Sequence, residues 1–311
     1  MSSSHKAPPS VGIVVLNYNN AQLTIDCVDS ILKQDYLNYK IVVVDNNSPD
    51  ANQKLILQNK LPKEVVLVLN PKNTGYAAGN NVGARFCVEE LKSDFVFVLN
   101  NDTILEDKET VQKLVETFEE NNKIVAVSPL VNTTSAGKPV EQQIQVRKLL
   151  NKYKIIVCNV ILTSKLPFFK HIIADYLYVN WRPYLKKTYE VDTINGSAFM
   201  ISADALQKIS YLNEKTFLYS EELILGCQIQ RIGKTCGLNG RVVVTHFQGL
   251  STENDNHNIN WAMHKYQIDS FVVLLKDYYK TPQYLIAIFK ILRVFDFIFK
   301  KMYLWIMRIF G

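Results

Sequence analysis

The sequence has few cysteines, few prolines and glycines, and no long apolar run. Its 311 residues include five cysteines (27, 87, 158, 227 and 236) and no CxxC pair, which excludes a disulfide scaffold or a cysteine-rich zinc site and predicts a reducing compartment. Ten prolines and twelve glycines argue against a fibrous or low-complexity chain. No apolar stretch reaches about eighteen residues, so no ordinary transmembrane helix is expected. The first ten residues lack the apolar core of a secretory signal.

Apolar residues are abundant, and the positive charge is unevenly distributed. Hydrophobic residues make up 48% of the chain, which excludes disorder as its main state and suffices for one large α/β domain or two ordinary ones. The net charge of +6 contains +8 in residues 147–187 and +5 in residues 276–311, so the remainder carries −7. Both basic segments are also rich in large apolar residues. Nucleic acid would account only for the charge, whereas an anionic membrane surface accounts for both properties.

Short apolar runs alternate with helical patterns over the first 131 residues. The pattern predicts strands over 11–18, 40–50 (ending in an acidic turn), 64–70, 94–102 and 123–131, and helices over 21–34, 51–60, 75–92 and 105–122. We therefore expect an α/β fold with a mostly parallel sheet flanked by helices. Ligands bind such sheets at the carboxyl ends of the strands. Polar residues stand at those ends, in the segments 17–19, 45–48 and 100–102.

The second half is less regular. Residues 132–190 break the pattern and contain an aromatic group (Tyr176, Tyr178, Trp181 and Tyr184). A strand that enters a helix is predicted over 192–206, and a helix over 217–233, ended by Gly233. A strand over 235–247 ends at His246, and helices are predicted over 261–280 and 282–309, separated near Pro282.

Three features at the predicted strand ends could carry chemistry, and each has a plainer alternative. Asp45 could accept hydrogen bonds from a base or ribose, or form a turn or helix cap. Gly75 and Gly79 could allow close approach of a phosphate or sugar, or serve packing. Asn100 and Asp102 lie two residues apart on extended chain, so both could bind Mg²⁺ or Mn²⁺. An isolated turn explains that spacing equally well.

Three further residues in the second half have similar alternatives. Glu221 and Glu222 open a helix, where acids suit the helix dipole. In a cleft, either acid could instead act as a general base. His246 could be structural, or it could contact a metal or a diphosphate.

The ordered combination of motifs resembles the family 2 glycosyltransferases, especially the rhamnosyltransferase-like bacterial branch. The matching pieces occur in the family's order and cover roughly residues 11–251. They are VVLNYNN (14–20), VVVDNNSPD (42–50), NPKNTGYAAGNNVGARF (70–86), FVLNNDT (97–103), NGSAFMISADAL (195–206), FLYSEELILGCQIQRIGK (217–234) and VVVTHFQGLS (242–251). The resemblance implies a GT-A fold and an inverting, metal-dependent transfer of a sugar, rhamnose or another hexose, from a nucleoside diphosphate donor such as a UDP- or dTDP-sugar.

The resemblance also implies roles for individual residues. Donor-binding positions are Asn17, Asn19 and Asp45 beside the base and ribose, and Asn73, Gly75, Asn80 and Asn100 in the donor pocket. Asn100 and Asp102 occupy the family's DxD position and, with His246, would hold Mg²⁺ or Mn²⁺. Glu222 stands at the position of the catalytic base, and Glu221 could share that role.

This chain departs from the family pattern at several of these positions. The first ligand of the DxD position is a neutral Asn, and the base is Glu rather than Asp. Ile224 and Gln228 replace residues that are usually acidic and basic, so donor or acceptor preference could differ.

The predicted domain organisation follows from these patterns. We expect a disordered N-terminus (1–10) and a catalytic domain (11–255), with a nucleotide-sugar half (11–131) and an acceptor half (132–255) that carries the basic insertion 147–187. A helical membrane-association segment (256–311) follows. In this last segment Lys290, Arg293, Lys300, Lys301 and Arg308 share a helix sector of about 100°, which is typical of a helix lying in a membrane interface with its cations reaching headgroups.

The predicted setting is the cytoplasmic face of a bacterial plasma membrane. There the protein would extend a polyprenyl-diphosphate-linked glycan for capsule, O-antigen or another surface polysaccharide. The alternatives are a soluble transferase acting on a protein or small molecule, with the tail packed on the domain or in a homodimer, and a non-catalytic nucleotide-sugar-binding scaffold.

Overall fold

The computed structural model describes residues 7–135, 138–139, 144–160, 166–178, 186–248 and 260–310. Trp181, Tyr184 and the first six residues of the predicted disordered N-terminus lie outside this part of the chain. Of the remaining N-terminal residues, Ser10 donates hydrogen bonds to the carboxylate of Asp94.

The elements follow the predicted alternation of strands and helices. The strands are β1 (Val11–Asn17), β2 (Tyr39–Asp45), β3 (Val66–Leu69), β4 (Phe95–Asn100), β5 (Thr103–Ile104), β6 (Ile124–Ser135), β7 (Lys138–Pro139), β8 (Thr188–Val191), β9 (Ala198–Ser202) and β10 (Thr235–Gln248). The α-helices are α1 (Ala21–Ile31), α2 (Ala51–Lys60), α3 (Gly75–Arg85), α4 (Thr110–Glu120), α5 (Lys152–Cys158), α6 (Lys170–Tyr176), α7 (Ala203–Lys208), α8 (Glu221–Arg231), α9 (Trp261–Val273) and α10 (Gln283–Phe310). Single turns of other helix types occupy Phe86–Glu90, Pro167–Phe169 and Leu274–Tyr278.

One mixed sheet organises the fold, with strand order β3-β2-β1-β4-β9-β6-β10-β5. The first four strands are parallel, and β10 is parallel to β6 along its length. β9 lies between β4 and β6 and is antiparallel to both. The predicted mostly parallel α/β sheet is confirmed. Since β9 is inserted beside β4, residues of the second half reach the strand ends of the first half.

Both faces of the sheet are buried. Along β1, Val14 packs in one apolar cluster, while Ile13 and Val15 pack in the other. Successive side chains of a strand point to opposite faces, so a strand covered on both sides has to be apolar throughout. That requirement explains the continuous valine and isoleucine runs, and it confirms the predicted helical covering.

A third apolar cluster joins the two basic segments of the sequence. Ile155 and Tyr176 from the insertion pack with Ile224 of α8, Phe271 of α9 and Phe289 of α10. We call residues 144–160 and 166–178 together with α9 and α10 the basic lobe. Two segments far apart in the chain thus form one body next to the start of α8.

The C-terminal helix packs differently from the sequence prediction. Arg293 and Asp296 are buried, with 7% and 2% of their surface exposed, so the prediction that Arg293 reaches lipid headgroups is wrong. Arg293 instead forms an ion pair with Asp296 (3.2 Å) and donates to Gln267 Oε1 (2.8 Å).

The opposite side of α10 leaves many large apolar residues exposed, namely Ile288, Ile291, Val294, Phe295, Ile298, Phe299, Met302, Tyr303, Trp305 and Ile306. We call these ten residues the apolar face. Within the described ranges, none of the helices combines the length and the apolar character that crossing a membrane requires.

Candidate functional site

A cavity of about 610 Å³ opens where the sheet edge meets the basic lobe. The residues from the sheet edge and the neighbouring segments are Tyr76, Asn100, Asn195, Gly196, Ser197, Leu218, Tyr219, Ser220, Glu221, Glu222, Leu223 and His246. The residues from the basic lobe are Arg147, Cys158, Asn159, Tyr176, Gln267, Phe271, Phe289, Arg293 and Lys300. The cavity therefore combines the motif residues with a wall that the motifs do not contain.

The two glutamates enter the cavity from the first turn of α8. The helix is preceded by Tyr219 (φ 77°) and Ser220 (φ 66°), two consecutive non-glycine residues in the left-handed region. Each such residue costs on the order of 1 kcal/mol or more, and such strain clusters at functional sites. This backbone places both acids of the predicted catalytic pair, Glu221 and Glu222, against one space.

The carboxyl group of Glu221 lies in surroundings that disfavour its charged form. Burial, followed by the negative charge of Glu222, raises the pKa of Glu221 to about 8. Its Oε1 has no hydrogen-bond partner among the residues that the structure describes. The raised pKa favours the protonated form of Glu221, and Glu222 remains the predicted base.

The carboxyl group of Glu222 lies against position 196, where a glycine leaves room for it. A Cβ at position 196 would lie 2.9 Å from Glu222 Oε1 and 3.2 Å from its Cγ. The carbonyl of Gly196 accepts a hydrogen bond from the hydroxyl of Tyr76. Burial raises the pKa of that hydroxyl well above its ordinary value, and the negative charge of Glu222 adds to the shift. Tyr76 therefore stays neutral and holds Gly196 in place.

The start of α3 touches the segment that leads into α8. The N–H of Tyr76 donates to the carbonyl of Phe217 (2.8 Å). Gly75 has φ +80°, and a Cβ there would lie 2.2 Å from the same carbonyl oxygen. The close approach of the Phe217 backbone thus requires a glycine at position 75. This contact favours the packing role, one of the two roles considered for Gly75 from the sequence.

Asp102 and His246 meet at the cavity. β5 pairs with β10 so that Thr103 faces His246, and the N–H of Phe247 donates to the carbonyl of Asp102 (2.8 Å). Asp102 Oδ1 consequently lies 3.1 Å from His246 Nε2. Asn100 lines the same cavity as His246. Asn101 instead turns inward and donates to Thr24 Oγ1 (3.2 Å).

The chemistry of this set suits a hard divalent cation. Within the described part of the chain, no cluster of three or more His, Cys, Asp or Glu residues could hold a metal. One carboxylate, one imidazole and one amide oxygen nevertheless match Mg²⁺ or Mn²⁺, which takes its remaining ligands from phosphates and water. Adjacent ligands of an octahedral Mg²⁺ at about 2.1 Å lie about 3 Å apart. The distance between Asp102 and His246 fits that spacing.

The predicted base and ribose residues form a separate buried network. Asn17 donates to Asp45 Oδ1 (2.8 Å) and accepts from Thr24 Oγ1 (2.8 Å). Ser48 Oγ accepts from the N–H of Asn19 (2.7 Å) and donates to Asp45. These bonds lock the carboxyl ends of β1 and β2 together, and neither Asn17 nor Asp45 is exposed.

The predicted donor-loop residues lie next to this network. Asn73 Oδ1 accepts from Asn46 Nδ2 and from the N–H of Gly75, both at 3.0 Å. Asn80 Nδ2 donates to the carbonyl of Tyr76 (3.0 Å). Asn46, which the sequence analysis did not single out, also accepts from Asn70 (2.9 Å) and thereby holds the loop to β2.

The structure brings only part of the predicted set together. Asn100, Glu221, Glu222 and His246 line one cavity, and Asp102 contacts it through His246. The remaining predicted positions do not line that cavity, namely Asn17, Asn19, Asp45, Asn73, Gly75 and Asn80.

Several residues that line the cavity were not predicted from the sequence. Tyr76 and Gly196 lie inside quoted motifs, but Gly196 stands 26 residues before Glu222 in the chain, so no local signal indicates their contact. Arg147, Arg293 and Lys300 lie in the two basic segments. Nothing in the local sequence indicates that these cations reach one site.

Comparisons with solved structures show the fold. The structure of GalNAc-T7 with UDP, GalNAc and Mn²⁺ superposes with a TM-score of 0.63 at 17% identity, covering 88% of this chain and 49% of that one. The mannosyltransferase PcManGT of Pyrobaculum calidifontis, solved with GDP-Man and Mn²⁺, gives a TM-score of 0.54 at 14% identity, covering 87% and 65%. The GT-A fold is confirmed.

Relatives at the sequence level are glycosyltransferases. The low-salt glycan biosynthesis hexosyltransferase Agl10 of Haloferax volcanii is 28% identical over 184 residues, which are 59% of this chain and 51% of the relative. Glycosyltransferase GlyG of Streptococcus pneumoniae is 27% identical over 123 residues, 39% of each. The matched regions thus span about half or less of the length of these relatives.

A family-wide comparison covers most of the catalytic region. The sequence model described as "Glycosyl transferase family 2" matches residues 12–204, which contain the strand ends, the donor loop and the segment around Gly196. The chain belongs to glycosyl transferase family 2.

Proposed function

We propose that the protein is an inverting glycosyltransferase that moves a hexose from a nucleoside diphosphate sugar, such as a UDP- or dTDP-sugar, to the hydroxyl group of a glycan acceptor. The observation that carries this proposal is the convergence of Glu222, Asn100 and the Asp102–His246 pair on one cavity. These residues come from β4, the segment after it, α8 and β10. Their convergence would place a base and the residues that bind the donor's diphosphate around one cavity.

The reaction is a single in-line displacement. Glu222 accepts the proton of the acceptor hydroxyl as its oxygen forms a bond to the anomeric carbon of the sugar. The bond from that carbon to the donor's phosphate oxygen breaks on the opposite face, and the nucleoside diphosphate leaves with the electron pair. One displacement inverts the configuration and needs no covalent enzyme intermediate.

Asp102, His246 and Asn100 are proposed to hold the diphosphate end of the donor through Mg²⁺ or Mn²⁺. When bound, the cation supplies positive charge beside the leaving diphosphate. GalNAc-T7 and PcManGT were both solved with Mn²⁺, which supports this proposal. The network of Asn17, Asp45, Asn19, Asn73 and Asn80 would shape the nucleoside end from the neighbouring strand ends.

Glu222→Gln tests the base. Transfer should fall by about 10²–10⁴-fold, while the affinity for UDP with Mn²⁺, measured by calorimetry, stays within about twofold. Glu221→Gln is the matched control and should retain most of the activity. A Glu222→Gln protein with normal turnover, or a larger loss in Glu221→Gln, would contradict the assignment.

Asp102→Asn tests the cation-binding end with the shape of the side chain preserved. The Mn²⁺-dependent gain in UDP affinity should disappear, because a neutral amide is a far weaker ligand than a carboxylate. The affinity without Mn²⁺ should stay unchanged. A gain in affinity as large as that of the wild type would remove Asp102 from the cation site.

The finer proposal concerns the acceptor and the place of action. We propose a polyprenyl-diphosphate-linked glycan acceptor at the inner surface of a bacterial plasma membrane. The apolar face of α10 supports this, because half of the helix circumference carries exposed large apolar residues while its other side packs on the body. Lys290 and Lys301 are exposed at the edge of that face, where they would meet anionic headgroups.

Vesicle sedimentation tests the membrane proposal. The wild type should pellet with vesicles of equal parts phosphatidylglycerol and phosphatidylcholine, and Phe295→Glu with Trp305→Glu should abolish pelleting. Leu37→Glu is the matched control, since Leu37 is an apolar residue that is 90% exposed elsewhere. Pelleting of all three proteins would contradict the proposal. A dimer without lipid that only the α10 variant dissociates would assign the apolar face to a second copy instead.

A further inference from the structure

The cavity contains three cations that the proposed transfer chemistry does not use. Arg147, Arg293 and Lys300 line it from the basic lobe. The acids Glu221 and Glu222 line it from α8. The cavity is therefore bordered by acids from α8 and by cations from the basic lobe.

Arg147 is held at the cavity by its backbone. Its N–H donates to Thr193 Oγ1 (2.7 Å), and its carbonyl accepts from the same hydroxyl (2.9 Å). Its side chain is part-buried, and it forms no ion pair with any residue that the structure describes. A guanidinium group that is fixed at its root and not neutralised is available to an anionic ligand.

Arg293 is a buried charge with a fixed orientation. One N–H donates to Asp296 Oδ2 and one to Gln267 Oε1, so three of its five donors remain. Burying a guanidinium costs free energy unless it is paired and hydrogen-bonded. The Asp296 and Gln267 contacts offset part of that cost, and Arg293 lines the cavity.

Lys300 lies seven residues after Arg293 on α10, two turns along the same side of the helix. It lines the cavity and forms no ion pair within the described ranges. The three cations thus come from two segments of the basic lobe, which its apolar cluster holds together.

We propose that Arg147, Arg293 and Lys300 form a subsite for the phosphate or diphosphate group of the acceptor. The proposal rests on the proposed function and identifies the acceptor class: a glycan that carries a phosphate close to the hydroxyl that Glu222 deprotonates. Arginine recognises phosphate oxygens through paired N–H donors. The position of α10 would bring that phosphate to the membrane surface, where a lipid diphosphate lies.

Binding of farnesyl diphosphate tests the subsite, with inorganic pyrophosphate and farnesol as companion probes. Calorimetry is performed on full-length protein saturated with UDP and Mn²⁺, so that the donor's diphosphate end is filled. The wild type should bind farnesyl diphosphate more tightly than pyrophosphate and should bind farnesol weakly. Arg147→Gln and Lys300→Gln should each weaken farnesyl diphosphate binding about tenfold.

Lys63→Gln is the matched control, because Lys63 is exposed, lies outside both basic segments and does not line the cavity. It should bind like the wild type. Equal affinity for pyrophosphate and farnesyl diphosphate, with both lowered by Arg147→Gln, also supports an anion subsite and assigns no part to the lipid.

Three results would overturn the subsite. They are equal binding of farnesol and farnesyl diphosphate, equal effects of Arg147→Gln and Lys63→Gln, and a loss of UDP affinity in Arg147→Gln without a loss for farnesyl diphosphate. The last would assign Arg147 to the donor. Failure of the proposed function is a separate observation, namely no sugar release from any nucleotide sugar by a protein that still binds farnesyl diphosphate.

Discussion

Gly196→Ala should reduce catalysis while leaving the fold intact. A Cβ at position 196 would lie 2.9 Å from Glu222 Oε1, whereas ordinary contacts of this kind begin at 3.4 Å. The carboxylate therefore has to move by about 0.5 Å. It can do so, because it is the far end of a flexible side chain, so the free energy of unfolding should change by less than about 1 kcal/mol.

The displaced carboxylate is the proposed base. A misplacement of about 1 Å in a reacting group can cost about 10²-fold in rate, so half of that should lower kcat roughly tenfold, about 1.4 kcal/mol in barrier height. The donor KM should stay unchanged, since the three atoms nearest to the added Cβ all belong to Glu222.

The assay is initial-rate sugar transfer, combined with thermal unfolding. Gly233→Ala is the control with the opposite pattern. Gly233 has φ +70° and open space around its Cβ position, so alanine there should cost about 1 kcal/mol of stability and leave kcat unchanged. A Gly196→Ala protein with the wild-type kcat would refute the view that Gly196 places the base.

Two further predictions concern stability. The pKa of Glu221 is raised from its ordinary 4.5 to about 8, so between these values the folded protein holds a proton that the unfolded chain releases. Its contribution is fully present below pH 4.5 and is lost as the pH rises through about 8. Chemical denaturation from pH 5 to 8 should therefore show a smaller fall in unfolding free energy for Glu221→Gln than for the wild type, and an identical fall would contradict the shift. Gly75→Ala should lower the free energy of unfolding by about 3 kcal/mol, because its Cβ would meet the backbone of Phe217 and its φ is positive. A loss below 1 kcal/mol would mean that α3 can move away.

Much of the fold follows from patterns that are local in the chain. The continuous apolar runs of β1, β2 and β4 can be stable only if both faces are covered, so they predict a flanked, largely parallel sheet. The polar residues after each run, such as Asn17, Asp45 and Asn100, then have to collect at one edge of the sheet. These inferences need only strand periodicity and the direction of the chain.

The candidate site was predictable only in part. Motif order predicted site roles for Glu222, Asp102 and His246 without a structure. It did not indicate that Asn17 and Asp45 satisfy one another in a buried network, or that Tyr76 holds Gly196 next to the acid. Those contacts join residues that lie 28 positions apart (Asn17 and Asp45) and 120 positions apart (Tyr76 and Gly196) in the chain, which no local pattern records.

The C-terminal helix α10 shows most clearly the difference between what periodicity predicts and what packing decides. Its periodicity predicted an amphipathic helix and placed Arg293 among cations that face lipid, because a helical wheel shows which residues share a side and not where that side points. The packing of Phe289 against Phe271 and Ile224 turns Arg293 and Asp296 toward the body.

By itself, the sequence determined a flanked α/β sheet, which follows from residue types at short spacings, and the family, which follows from the order of its motifs. The tertiary structure alone decided that the two basic segments form one lobe, and that Arg147, Arg293 and Lys300 reach the cavity where Glu222 lies. Long-range burial of apolar side chains sets that arrangement.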